Sequence, residues 1–183
     1  MKTVSFTYID YYLLIILILC AITDCYIHKI PNLLTYPTII FALLYNLTYH
    51  GITGLMISIS GLLVGMTLLG ILYIFGAMGA GDVKLMGAVG AVLGTKSVLN
   101  AFLFTGIIGG IYALIVLIFR FKTSRILFNR IIITIKTLLF TGNFIMIPAA
   151  EDEKTPKLCY GIAIALGALI TIWLKAANYN LPI

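Results

Sequence analysis

The sequence predicts an all-α polytopic membrane protein, a bundle of about six transmembrane helices with a cytoplasmic amphipathic segment between the fifth and sixth. Three observations predict it. Of the 183 residues, 62% are hydrophobic and 10% charged, too little polar surface to cover a soluble core of this size. Mean hydropathy is +1.13, and the apolar residues come in runs of bilayer length. Lys and Arg gather in a few connecting segments, as membrane orientation demands. The net charge of +6 is therefore read as a topology signal, not as an affinity for nucleic acid.

The first span is expected at residues 11–27. Lys2 followed by an apolar run resembles a signal peptide, but Asp10 precedes the run and no small-residue cleavage site follows. The segment is read as a retained span. Further spans are expected at 33–49, 52–75, 77–93, 98–119 and 160–176. The second and fourth, at about 17 residues, sit at the lower limit for crossing. An even count puts both termini on one side. The connections then hold nine cations on one face (Lys29, Lys84, Arg120, Lys122, Arg125, Arg130, Lys136, Lys154, Lys157) against Lys2, Lys96 and Lys175 on the other. The first group is expected in the cytoplasm and both termini outside, in the cell membrane.

Residues 120–157 form the one long connection within a single domain, 1–183. It opens basic, continues apolar with interruptions at Lys136 and Gly142–Asn143, and closes on Glu151, Asp152 and Glu153. An amphipathic segment on the cytoplasmic face fits this pattern, with a re-entrant hairpin as the alternative. Its cations either hold anionic lipid head groups or fix topology. Its acids are solvated, or they steer a basic peptide.

The pairs Gly61/Gly65, Gly90/Gly94 and Gly106/Gly110 have the small-xxx-small spacing that lets helices approach closely in lipid. Cys20, Cys25 and Cys159 form no C-x-x-C pair and are expected to be small buried hydrophobes.

The chemistry rests on acids. The chain has four Asp and two Glu. Three lie in the 151–153 cluster and Asp10 lies at the outer end of the first span. Asp24 and Asp82 remain, both at the cytoplasmic ends of spans, where a carboxylate is costly and rarely accidental. Two carboxyls sharing one site tend to hold one proton between them. That arrangement suits activation of water by one and proton donation to a peptide carbonyl by the other. Beside Asp82, Gly79 and Gly81 allow close approach of backbone or substrate and loosen the helix. Lys84 either favours ionisation of the pair or anchors the helix end at the interface. After Asp24, Pro31 is expected to stop the helix and Asn32 to cap the second span. His28 stands at i+4 from Asp24; a metal site there would need further ligands that the sequence does not offer. No metal and no cofactor is expected.

These segments resemble the type IV prepilin peptidase family. Asp24 to Ile30-Pro31-Asn32 is similar to that family's first catalytic motif, and Gly79-Ala80-Gly81-Asp82-Val83-Lys84-Leu85 to its second, the G-x-G-D signature. A third stretch, Tyr160-Gly161-Ile162-Ala163-Ile164-Ala165, resembles the opening of the last span, with Cys159 where the family usually has proline. The resemblance implies that Asp24 and Asp82 are the catalytic pair. It implies cleavage of the leader from prepilin or pseudopilin precursors at the cytoplasmic face. Lacking the cysteine-paired insertion of larger members, the chain looks like the small peptidase-only branch serving Flp-type pili. Archaeal preflagellin peptidases share the core and are the runner-up. A proton- or cation-handling transporter is a more distant alternative. Membrane lipid is an expected partner; self-association is left open.

Overall fold

The structure is a computed structural model, and it describes residues 7–76, 78–119 and 159–177. Among these, all regular structure is helical: α1 (Tyr8–Ile27), α2 (Asn32–Ile74), α3 (Ala80–Leu93), α4 (Thr95–Phe119) and α5 (Tyr160–Ala176). The chain divides into two units, residues 1–109 with 159–183, and residues 110–158. The described part of the second unit is the C-terminal stretch of α4. The expected amphipathic segment, 120–157, lies outside the described residues. Among the described residues, three helices are long and apolar enough to cross a membrane: Tyr8–Ile27, Asn32–Ile74 and Thr95–Val116. They carry large apolar side chains outward, among them Ile15, Ile18, Leu33, Ile40, Leu63 and Ile107. Such exposure suits lipid rather than water.

The expected second and third spans appear as the single 43-residue α2, interrupted at Gly51, which has φ 63 and ψ −154. Only glycine adopts that conformation readily. The two limbs, 32–50 and 52–74, both close on the end of α3. Asn46 Nδ2 on the first limb and Ser58 Oγ on the second donate to the same acceptor, Ala91 O, at 3.4 and 2.6 Å. The chain therefore folds back at Gly51 instead of running on as one long rod.

The expected fourth span is shorter than the apolar run suggested. Gly76 turns the chain at φ 71, and Gly79 stays extended as the N-cap, so α3 begins only at Ala80. Its 14 residues rise about 21 Å, short of a hydrocarbon core. From Leu85 to Leu93 every residue is buried. A helix that is apolar all round belongs inside a bundle, and α3 is wrapped by the limbs of α2 with α1 and α5 beside it.

Glycine makes this wrapping possible. A Cβ on Gly61 would lie 2.1 Å from Gly90 O, and one on Gly90 would lie 2.1 Å from Gly61 O, so the two backbones touch. Gly65 sits on Met86 O in the same way, at 2.5 Å. A Cβ on Gly106 would meet nothing within 4 Å among the described residues, while one on Gly109 would lie 3.2 Å from the Tyr160 ring. Two of the three cysteines also depart from expectation. Cys20 is buried, but Cys25 is exposed and Cys159 half-buried. Cys25 follows Asp24 and so points about 100° away from its buried face.

Helices α1 and α5 run antiparallel, pinned at both ends. Lys175 pairs with buried Asp10 at 3.6 Å, and Gly161 N donates to Asp24 Oδ2 at 2.8 Å. Asp24 lies 14 residues after Asp10, as Lys175 lies 14 after Gly161, so the two contacts are in register about 21 Å apart.

Candidate active site

The two motif segments meet at the end of the bundle opposite the Asp10–Lys175 pair. Helix α1 stops at Ile27, with His28 in the left-handed conformation (φ 51, ψ 35) and its N–H on Asp24 O at 2.9 Å. Pro31 therefore does not stop this helix. It is the N-cap of α2, with extended backbone at ψ 135, and Asn32 is the first helical residue. Proline is well suited to that entry because its missing N–H would have had no partner there. Asn32 is thereby freed from the capping role expected of it.

Gly81 brings the second motif onto the first. A Cβ at Gly81 would stand 3.0 Å from Ile30 Cβ and 3.4 Å from Ile30 N, so the first turn of α3 rests on the chain just before Pro31. The close approach that the glycines allow is thus made by backbone of the other motif. Gly79 has a different task. Its N–H donates to Asp82 Oδ2 at 3.1 Å, and its carbonyl accepts from Asp82 N at 3.1 Å. Asp82 is the third residue of α3, where a carboxylate satisfies an orphan donor and complements the positive end of the helix. Its side chain is fixed by its own helix start.

Asp24, only 6% exposed, sits instead in the last turn of α1, the end where a helix disfavours negative charge. Its compensation comes from α5. The 2.8 Å bond from Gly161 N brings the opposite, favourable end of another helix against the same carboxylate. Together Asp24 and Asp82 line one cavity of about 360 Å³ with His28, Lys29, Ile30, Asn32, Gly79, Ala80, Gly81 and Lys84.

Lys84 does not pair with either acid. Its Nζ donates to Asn32 Oδ1 at 2.9 Å and lies 4.9 Å from the Tyr36 ring centroid. His28 lines the cavity from its left-handed position just past the end of α1, and its Nδ1 lies 3.4 Å from Cys159 Sγ. Among the described residues no cluster of three His, Cys, Asp or Glu side chains could hold a metal ion. Sequence reasoning gave Gly161 no role. The signal was present in the Tyr160-Gly161 stretch, but nothing in one dimension showed that it meets Asp24.

The type IV leader peptidase family matches residues 11–114, more than half the chain and inclusive of both aspartates. The chain belongs to that family. A prepilin leader peptidase/N-methyltransferase of Bacillus subtilis (strain 168) is 33% identical over 100 residues, covering 53% of this chain and 40% of the relative. The chain thus spans well under half the length of that leader peptidase. No solved structure matches the chain.

Proposed function

We propose that this leader peptidase family member is a membrane aspartic endopeptidase that removes the leader peptide from type IV prepilin-like precursors, Flp-type pilins or pseudopilins. The observation that carries the proposal is the meeting of Asp24 and Asp82, from two separate motifs, in one cavity. One carboxylate takes a proton from water as the hydroxyl attacks the scissile carbonyl. The other, protonated, donates to the carbonyl oxygen. Collapse of the tetrahedral intermediate returns a proton to the leaving amine. The cavity that holds both acids is also lined by polar and basic side chains, His28, Lys29, Asn32 and Lys84.

The same reading puts six spans in the membrane, both termini outside and the aspartates toward the cytoplasm. The nine-to-three distribution of cations supports that orientation. The two limbs of α2 support the count, because the turn at Gly51 provides the reversal that two spans require. Cleavage then falls near the lipid–water boundary.

Purified protein in detergent or liposomes, given a prepilin-like substrate, tests the reading. Asp24→Asn and Asp82→Asn should each abolish cleavage while the protein stays folded. Wild-type cleavage by either variant rules out the two-carboxylate mechanism.

A further inference from the structure

We propose that Gly161 is a positioning residue for the reaction: its backbone N–H holds the Asp24 carboxylate in place, and its lack of a side chain makes room for that carboxylate. The inference rests on Asp24 being one of the two catalytic acids. The contact lies beyond residues 11–114, where the family match ends, so it is read from the structure of this chain alone.

Two independent features define the contact. The first is the hydrogen bond. Gly161 N donates to Asp24 Oδ2 at 2.8 Å in a buried setting. Gly161 is the second residue of α5, which starts at Tyr160 after the N-cap Cys159. The first four N–H groups of a helix have no partner within it, and Cys159 supplies no side-chain cap. Asp24 therefore caps α5 from another helix. The bond is charge-assisted when Asp24 is ionised, and such bonds are the strong ones.

The second feature is space. A Cβ at position 161 would lie 2.9 Å from Asp24 Cβ, 2.9 Å from Oδ2 and 3.1 Å from Cγ. The obstacle is a short side chain whose Cβ is fixed to the α1 backbone, so it cannot swing aside as a lysine tip would. Any residue larger than glycine must turn the carboxylate or part the helices. Both outcomes move Asp24 relative to Asp82, which is held separately by Gly79. Misplacing a reacting group by about 1 Å is enough to reduce turnover about a hundredfold.

An amide-to-ester replacement at position 161, made by cell-free translation with glycolic acid, tests the hydrogen bond directly. It adds no bulk and deletes an N–H that α5 does not use internally. The expected result is a fall in the kcat of folded protein of about tenfold or more, beyond any loss of folded fraction, with KM little changed. An ester protein with wild-type kcat overturns the inference.

Gly161→Ala tests the space, with Gly167→Ala as comparator. A Cβ at Gly167 would meet Thr105 Oγ1 at 2.4 Å and Thr105 N at 2.7 Å, so that site is at least as crowded but far from Asp24 along α5. Gly167→Ala should lower the folded fraction and leave the kcat of folded protein intact, whereas Gly161→Ala should lower kcat beyond any loss of folded protein. If Gly161→Ala loses activity only in proportion to folded protein, the positioning role is wrong. Asp24→Asn run alongside separates the two readings. An inactive Asp24→Asn with a fully active ester removes the Gly161 role alone, and an active Asp24→Asn removes the peptidase mechanism itself.

Discussion

Lys84 Nζ donates a 2.9 Å hydrogen bond to Asn32 Oδ1 across 52 residues of sequence. Its charge also lies 4.9 Å from the Tyr36 ring, one turn along α2 from Asn32. The lysine thus ties the second turn of α3 to the first turn of α2, a strut beside the two acids and not a counter-ion to them. The contact is exposed, so it contributes modestly to stability.

If the strut sets the separation of the two motifs, Asn32→Ala and Lys84→Ala should each lower kcat/KM, and the double variant should be little worse than the poorer single one. The coupling from a double-mutant cycle on kcat/KM should be about 0.5–1 kcal/mol, the scale of an exposed charged contact. Additive single effects would show that the two side chains act separately.

The elements themselves were legible because bilayer-length apolar runs carry a strong signal. The last span was expected at 160–176, and α5 occupies those residues. Two departures arise from contact between residues distant in sequence. Nothing local says that Asn32 meets Lys84, so by sequence alone Asn32 suits a cap. Nothing local says that a Cβ on Gly106 would meet none of the described residues while Gly61 is pressed on Gly90, because both have the same small-xxx-small neighbourhood. The length of α3 was overestimated because an apolar run does not show where backbone turns; Gly76 and Gly79 decide that.

The glycine contrast gives a second prediction. Gly61→Ala and Gly90→Ala each place a methyl 2.1 Å from a backbone carbonyl oxygen, which cannot yield without separating α3 from the second limb of α2. Each should be destabilised by about 3 kcal/mol or more, at the upper end for overpacked cores. Gly106→Ala meets no atom within 4 Å and replaces a poor helix former by the best one, so it should be neutral or stabilised by up to about 1 kcal/mol. Thermal unfolding of the three variants in one detergent checks the order. Equal melting temperatures would contradict the close Gly61–Gly90 contact.

At the far end of α1, Asp10 is 3% exposed and is held by Thr7 N at 3.0 Å, by Thr7 Oγ1 and by Lys175 at 3.6 Å. Lys175→Met leaves a buried acid with its Thr7 bonds but without its cation. It should destabilise the fold by about 1–3 kcal/mol, the scale for stranding a buried polar group. Asp10→Asn in the same chain should recover part of that loss by removing the charge. Neither change should alter the kcat of folded protein, since Asp24 lies about 21 Å away along α1. A kcat change in Lys175→Met, measured on protein matched for folded fraction, would mean that the two ends of α1 are coupled.

Gly51 offers the cleanest separation of backbone from packing. At φ 63 and ψ −154 it occupies a region essentially closed to other residues, yet a Cβ there would meet nothing within 4 Å. Steric crowding by neighbours is therefore absent, and the whole penalty of Gly51→Ala is the conformational strain of one residue. That strain is about 1–3 kcal/mol. Alanine also favours continuing the helix, so the variant should shift α2 toward a straight rod that cannot bring Asn46 and Ser58 to the same Ala91 carbonyl. The expected signature is a lower melting temperature together with faster protease cutting near residues 49–53. If Gly51→Ala keeps the wild-type melting temperature and protease resistance, the reversal between the two limbs does not depend on the backbone of Gly51.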